Sequence, residues 1–387
     1  MIMVEFFLKV IDRALMRVLH IFAELKFSGA EIMYVAAART FQDFGCELFV
    51  VNTQNRIGEY APYFEKAGYT VLHWPYENLS FFEKIAYWKR VKRYICNQQI
   101  DIVHVHRHDM KCSMAFCAWK AGVPSVYTFH NVFQSPRLTY PYHVLLRLSA
   151  KYLFRQKHHS ISDSVYDNEL KRFHNNTVKI YNWYDPAKFY SSTKEEKQRI
   201  RQELGIQNNC LVIISVGGCS HIKRHEDVIK ALKIVQGKYE DCVYLHLGEG
   251  STTNEEVEIT KMLGLTNNVK FEGNQDNVRK YLVASDIYVM PSKFEGISLT
   301  TIEAMACGIP AILYDVPGLK DFNKSQKCSI LIEEDPQKLA DSIISLYHDK
   351  SKQKDLAENA LSLVNHEYSM SNNVAKIYAL YESLLPR

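Results

Sequence analysis

From Met16 onward, short runs rich in β-branched and aromatic residues alternate with longer segments whose apolar positions recur every three or four residues. That alternation is the pattern of parallel α/β units rather than of a sandwich or a helical bundle. It predicts strands in the first half at Val18 to Phe22, Glu47 to Val51, Thr70 to His73, Ile102 to His106, Ser125 to Phe129 and Val178 to Tyr181. In the second half it predicts Leu211 to Val216, Val243 to Leu247, Val269 to Phe271, Ile287 to Met290, Ala311 to Tyr314 and Ser329 to Ile332. Each half therefore builds its own doubly wound sheet. Between them lie Pro186, a charged helical stretch from Thr193 to Leu204, and the turn residues Gly205, Asn208 and Asn209, which put the domain boundary near residue 190. The expected domains are residues 16–190 and 191–370. Residues 371–387 carry a last helical stretch that either packs on the second domain or crosses back to the first. Open α/β sheets gather loops and helix N-termini at the carboxyl ends of their strands, so a ligand is expected in a cleft between the two domains.

Residues 1–15 form a separate amphipathic segment. Glu5, Lys9, Asp12 and Arg13 share one helical face, and Met3, Phe7, Val10 and Ala14 the other. The charged face sums to zero, whereas membrane-surface helices are usually rich in Lys and Arg. Three readings stay open: lipid binding, packing on the first domain, or a true translation start at Met16.

Composition narrows the class. At 387 residues and 47% hydrophobic content, disorder is excluded, and a net charge of +4 is too slight to argue for nucleic acid. Charge is uneven, however: residues 1–190 hold 24 Lys plus Arg against 16 Asp plus Glu, so the first half is basic and the second acidic. No run approaches the roughly 18 apolar residues of a spanning helix, and no signal-peptide cleavage pattern appears. The nine cysteines are scattered without Cys-x-x-Cys spacing, which fits a reducing cytoplasm.

The most informative segment runs from Pro291 to Pro310 and follows the strand Ile287 to Met290. Ser298 suits a helix N-cap, Gly308 the left-handed position after the helix, and Pro310 its stop. The first-turn amides of Leu299 and Thr300, with the helix dipole, make a phosphate site. Gly296 allows close ligand approach. Glu295 sits in the loop and Glu303 about one turn into the helix, and such acceptor-only groups suit sugar hydroxyls.

At these residues the chain resembles the retaining glycosyltransferase family 4, of GT-B fold. Glu295 and Glu303 match its Glu-x7-Glu motif within Glu-Gly…Glu-Ala-Met-Ala-x-Gly-x-Pro, and the resemblance extends over nearly all of the chain from Met16. It implies two Rossmann-like domains facing each other across a cleft. It further implies that Glu295 contacts the transferred sugar and Glu303 the ribose of a nucleotide-sugar, most simply a UDP- or GDP-sugar. In Ser215-Val-Gly217-Gly218-Cys-Ser-His-Ile-Lys223-Arg-His225, Lys223 matches the family lysine on the donor diphosphate, where a cation stabilises the departing nucleotide. The family often carries an arginine where this chain has Gly218; Arg224 and His221 are the available substitutes. Leu247-Gly-Glu249-Gly and Val269 to Gly273 are expected near the nucleotide base.

In the first half, Ser28-Gly29-Ala-Glu31 resembles the family's Gly-Gly-Ala-Glu loop, with only Gly29 of the glycine pair retained. His130, after the strand Ser125 to Phe129, matches a histidine expected beside the transferred sugar. Trp183 stands where the family usually has glycine after Asn182. His104, His106 and His108 alternate along a strand with Asp109 beyond them, a pattern that could hold a metal, but the resemblance implies an ordinary strand and a metal-free site. No Asp-x-Asp occurs. No cofactor is expected beyond the donor itself.

Lys89, Arg90 and Arg93 cluster on one helical side of residues 81–95. Residues 136–159 add Arg137, Arg147, Lys151, Arg155 and Lys157 among aromatics. Basic side chains with aromatics suit an anionic membrane surface and a polyprenyl-diphosphate-linked acceptor, and a solvated helix face accounts for the same residues. The reading that follows is a transferase acting on a lipid-linked glycan in surface polysaccharide or lipopolysaccharide assembly, cytoplasmic and peripheral on the inner membrane face. The competitors are a sugar-nucleotide epimerase or hydrolase on the same fold, and a degenerate binder without turnover. A nicotinamide oxidoreductase is disfavoured, because neither half has Gly-x-Gly-x-x-Gly after its first strand.

Overall fold

The computed structural model describes residues 15–386. The amphipathic segment expected at the N-terminus, apart from Leu15, lies outside them.

The chain divides into two compact units: one runs to Asn182 and resumes at Met370, and the other spans Trp183–Ser369. The boundary therefore falls ahead of residue 190. Trp183, Tyr184 and Phe189 are already buried in the second unit, and the Tyr184 hydroxyl donates to Asn365 Oδ1 at 2.8 Å. The turn signals at Pro186 and Gly205 thus sit inside that unit rather than between the two.

In the first unit, β1 (Met16–Phe22), β2 (Cys46–Asn52), β3 (Thr70–His73), β4 (Ile102–Val105), β5 (Ser125–Phe129), β6 (Lys157–Ser160) and β7 (Val178–Lys179) form one parallel sheet in the order β3-β2-β1-β4-β5-β6-β7. Helices α1 (Gly29–Asp43), α2 (Ala61–Lys66), α3 (Phe81–Asn97), α4 (Lys111–Ala121), α5 (Tyr140–Leu148) and α6 (Asp163–Phe173) connect the strands. The start of α3 is a full capping box, in which the Glu83 amide donates to Ser80 Oγ and the Ser80 amide to Glu83 Oε2.

β6 has no counterpart among the expected strands. Its Lys-His-His-Ser sequence lacks apolar alternation, yet His158, His159 and Ser160 are buried. Side-chain hydrogen bonds replace apolar packing there: His158 Nδ1 with Asn175 Oδ1 at 3.0 Å, and Ser160 Oγ with Thr177 Oγ1 at 2.8 Å.

In the second unit, β8 (Leu211–Val216), β9 (Cys242–Leu247), β10 (Val269–Gly273), β11 (Ile287–Met290), β12 (Ala311–Tyr314) and β13 (Ser329–Ile332) are parallel in the order β10-β9-β8-β11-β12-β13. They alternate with α7 (Lys194–Glu203), α8 (His225–Gln236), α9 (Thr253–Met262), α10 (Val278–Ala284) and α11 (Leu299–Ala306), and are followed by α12 (Pro336–His348) and α13 (Lys350–Glu367). β8, β11 and β12 are buried along their whole length, as strands covered on both faces must be.

The last helix, α14 (Met370–Glu382), belongs to the first unit. It packs on α1, stacking Tyr378 on Phe44 at 5.1 Å and bringing the Tyr381 hydroxyl to His104.

Candidate active site

The second unit assembles its predicted residues at the carboxyl ends of β8, β9 and β11. After β8, the Lys223 and Arg224 amides both bond to Ser220 O, turning the chain into α8. The Lys293 amide donates to Ile222 O at 2.8 Å and ties this turn to the loop after β11. Lys223 Nζ consequently reaches Glu295 Oε1 at 2.6 Å, and the Ser292 hydroxyl donates to the same oxygen at 2.6 Å. The Glu295 amide in turn donates to Pro317 O at 2.9 Å.

Ser298 caps α11, its Oγ accepting from the Thr301 amide at 3.3 Å, and Gly308 closes the helix at φ +76°. The Thr300 hydroxyl donates to Val216 O at 3.0 Å, so it fastens α11 to β8. The backbone amides of Leu299 and Thr300, in the first turn of α11, have no intrahelical acceptors. Burial pushes the Glu303 carboxyl up to about 8, with Lys188 opposing and Asp185 adding to the rise. Glu303 therefore holds its proton near neutral pH.

Glycines let three loops close on one another. Gly248, at φ +124°, passes so close to Gly217 that a Cβ would sit 2.1 Å from its carbonyl oxygen. Glu249 lies beside Gly273, where a Cβ would meet its carboxylate at 2.6 Å. Gly217 lies beside the Lys223 side chain, and Gly296 directly follows Glu295 in its loop. Arg224 is not free to replace the missing arginine at Gly218: its guanidinium pairs with Asp227 and Glu334 and lies over Tyr314. His221 is exposed.

In the first unit, Gly29 is the first residue of α1, and the Ser28 hydroxyl donates to Glu31. Desolvation raises the Glu31 carboxyl above its ordinary range. His130 does not stand alone. His106 Nδ1 lies 3.0 Å from His130 Nε2, and His20 Nδ1 lies 3.1 Å from His106 Nε2. A parallel row is fully satisfied: Tyr381 donates to His104 Nδ1, His104 Nε2 to Thr128 Oγ1, Thr128 to His159 Nδ1, and His159 Nε2 to Ile180 O.

The metal pattern at His104, His106, His108 and Asp109 comes apart. His108 turns away to stack on Phe133 at 4.1 Å, and Asp109 forms a two-point pair with Arg107. His20 takes the third place beside His104 and His106, but both ring nitrogens of His104 and of His106 are already hydrogen-bonded. A second buried group brings the Cys219, His246 and Glu256 side chains together. His246 Nε2 is 2.8 Å from Glu256 Oε2. Burial pushes the Cys219 thiol up to about 12, and the thiol donates to Gly248 O at 3.4 Å.

Residues 27–217 match the family described as Glycosyltransferase Family 4, and residues 196–362 match Glycosyl transferases group 1. The chain belongs to glycosyltransferase family 4. This glycosyltransferase is 25% identical over 331 residues to N-acetyl-alpha-D-glucosaminyl L-malate synthase of Bacillus anthracis, covering 82% of each chain. Its fold is that of Anabaena Alr3699/HepE, solved with UDP and glucose, at a TM-score of 0.82, with 20% identity and 95% and 100% coverage of the two chains. WaaG, a glycosyltransferase involved in lipopolysaccharide biosynthesis, matches at 0.72, with 18% identity and 93% and 99% coverage. The fold is thus GT-B, with two parallel-sheet Rossmann-like units.

Two supports of the glycosyltransferase site escaped the sequence reading. Ser292 lies three residues before Glu295, a spacing that could have marked it. Gly318, at φ +82°, lets its loop approach the Glu295 carbonyl to 2.3 Å from where a Cβ would stand, and only the fold reveals that contact.

Proposed function

We propose that this glycosyltransferase moves a hexose from a UDP- or GDP-sugar to a hydroxyl of a lipid-linked glycan, with retention at the anomeric carbon and no metal or other cofactor. The observation that carries the donor half is the Lys223–Glu295 pair beside the N-terminus of α11, with Glu303 further along the same helix. It offers a cation and amides for the diphosphate, a carboxylate for sugar hydroxyls, and a second carboxyl for the ribose. Gly217, Gly218, Glu249 and Gly296 line the donor, and His130 contacts the transferred sugar. The UDP and glucose named for HepE support the choice of donor class. The pathway named for WaaG supports polysaccharide or lipopolysaccharide assembly.

Neither carboxyl suits a nucleophile. Glu295 is engaged by Lys223 and Ser292, and Glu303 is protonated near neutral pH. A front-side displacement fits better: the bond from the anomeric carbon to phosphate breaks as the bond to the acceptor oxygen forms on the same face, and the leaving phosphate oxygen takes the acceptor proton. Lys223 and the Leu299 and Thr300 amides stabilise the charge that develops.

No helix among the described residues is long and apolar enough to cross a membrane. Lys89, Arg90 and Arg93 are exposed on α3, near the exposed Phe81 and Phe82. Leu138, Tyr142, Leu145, Tyr152 and Leu153 are also exposed, with Arg137, Arg155 and Lys157 among them. This mixture supports peripheral contact with an anionic lipid surface on the cytoplasmic side.

The test offers UDP- and GDP-sugars with and without a polyprenyl-diphosphate-sugar and follows product mass. A hexose added to the lipid is the expected result. Conversion of donor without acceptor would point to an epimerase or hydrolase, and binding without turnover to a degenerate protein.

A further inference from the structure

The row His20–His106–His130 runs from the core to the surface, and its hydrogen positions follow from its buried end. His20 and His106 are buried, while His130 is half-buried. Burial holds His20 and His130 down to about 3, and drives His106 well below the ordinary range, so all three are neutral. A neutral imidazole has one N–H and one lone pair, and each contact in the row needs one of each. Only two arrangements satisfy both contacts. In one, protons sit on every Nδ1 and the row donates outward; in the other, they sit on every Nε2 and it donates inward.

The buried end separates them. His20 Nε2 is buried with no hydrogen-bond partner, among the rings of Phe22, Tyr34 and Tyr69. The inward arrangement would leave a buried N–H without an acceptor there, whereas the outward one leaves only a lone pair. Orphaned buried donors are the rarer and costlier defect. His20 Nδ1 therefore donates to His106 Nε2, and His106 Nδ1 donates to His130 Nε2.

We infer that His20 and His106 are positioning residues that lock His130 with its proton on Nδ1, so that it meets the substrate as a hydrogen-bond donor and never as a base. Its Nε2 lone pair is taken by His106, and its Nδ1 has none to offer. The inference rests on the reading of His130 as a contact to the transferred sugar. It agrees with a leaving phosphate, rather than a side chain, taking the acceptor proton.

The experiment has two arms on the full-length protein. Histidine labelled with 15N reports which ring nitrogen carries the proton at neutral pH, with signals assigned through His130→Asn and His106→Gln. The expected result is an Nδ1–H tautomer at His130 and His106, with the single His130 tautomer lost in His106→Gln. An Nε2–H at His130 in the unsubstituted protein would overturn the relay, and only the assignment of that signal, through His130→Asn, calls on a variant. In the kinetic arm, His130→Ala should lose about tenfold in kcat/KM, and His130→Asn, which keeps a donor near the Nδ1 position, should recover most of it. Unchanged kcat/KM in His130→Ala with the Nδ1–H tautomer intact would remove the sugar contact and leave the relay. An Nε2–H tautomer with the tenfold loss would do the reverse.

Discussion

Lys223 Nζ and Glu295 Oε1 lie 2.6 Å apart, so the cation proposed for the donor diphosphate and the carboxylate proposed for its sugar are paired with each other. Both side chains keep some solvent exposure, and a pair of that kind is worth about 0–1 kcal/mol to the fold. Its value lies in holding two long side chains in place before the donor arrives. Lys223→Ala and Glu295→Gln should each lower turnover by about 100-fold or more, with melting temperatures shifted by no more than about 2 °C. Turnover assays beside thermal unfolding check this. Full activity in either variant would remove that residue from the site.

Glu303 gives the site a pH signature. Burial raises its carboxyl to about 8 in the folded chain, against 4.5 for an unperturbed glutamate. The folded state binds the proton more tightly than the unfolded state. The resulting stability is full below the unfolded value and is lost as pH rises through about 8. Urea unfolding across that range should show the decline, and Glu303→Gln should flatten it. If ribose hydroxyls donate to this carboxyl, they favour its charged form, so nucleotide binding at neutral pH should release a proton. Calorimetry in buffers of different ionisation enthalpy reads that release directly, and binding without proton release would count against the ribose contact.

The second unit was the more legible of the two. Its six strands are apolar runs such as Leu-Val-Ile-Ile-Ser-Val, and they stand where the hydrophobic pattern puts them. β6 was hidden because its inward residues are histidines and a serine, satisfied by partners far away in sequence that no local pattern registers. His20 was passed over for the same reason: within Val-Leu-His-Ile-Phe it reads as one polar residue in an apolar strand. Glu295 and Lys223 stood out by their sequence context, yet their mutual pairing depends on the Lys293–Ile222 backbone bond between two loops.

Arg147 corrects the surface reading of residues 136–159. Expected with the exposed basic residues, it is buried, makes a two-point pair with Glu169, and lies 3.6 Å over the Phe173 ring. The Asn175 side chain donates to the same glutamate at 2.7 Å. Arg147→Ala strands a buried carboxylate and should cost about 3–5 kcal/mol in chemical unfolding. Charge reversal at Lys89, Arg90 and Arg93 should leave stability nearly unchanged and weaken co-sedimentation with anionic vesicles. Undiminished vesicle binding by that triple variant would remove α3 from the membrane surface.

Gly218 separates a working donor site from a degenerate one. A Cβ there meets only Glu249 O, at 3.4 Å, and its backbone lies outside the left-handed region, so a side chain is accommodated. Gly248 differs: its φ is +124° and a Cβ would stand 2.1 Å from Gly217 O. Gly248→Ala should therefore cost roughly 1–3 kcal/mol through backbone strain and loosen the Gly217–Gly218 turn. Gly218→Arg should fold normally and add a second cation beside Lys223, where phosphate charge concentrates. The donor KM should fall several-fold while kcat for a chain already competent in transfer changes little. A degenerate chain would gain donor affinity in Gly218→Arg without gaining turnover, and an unchanged KM would mean that the phosphate contact is already supplied by Lys223 and the α11 amides alone.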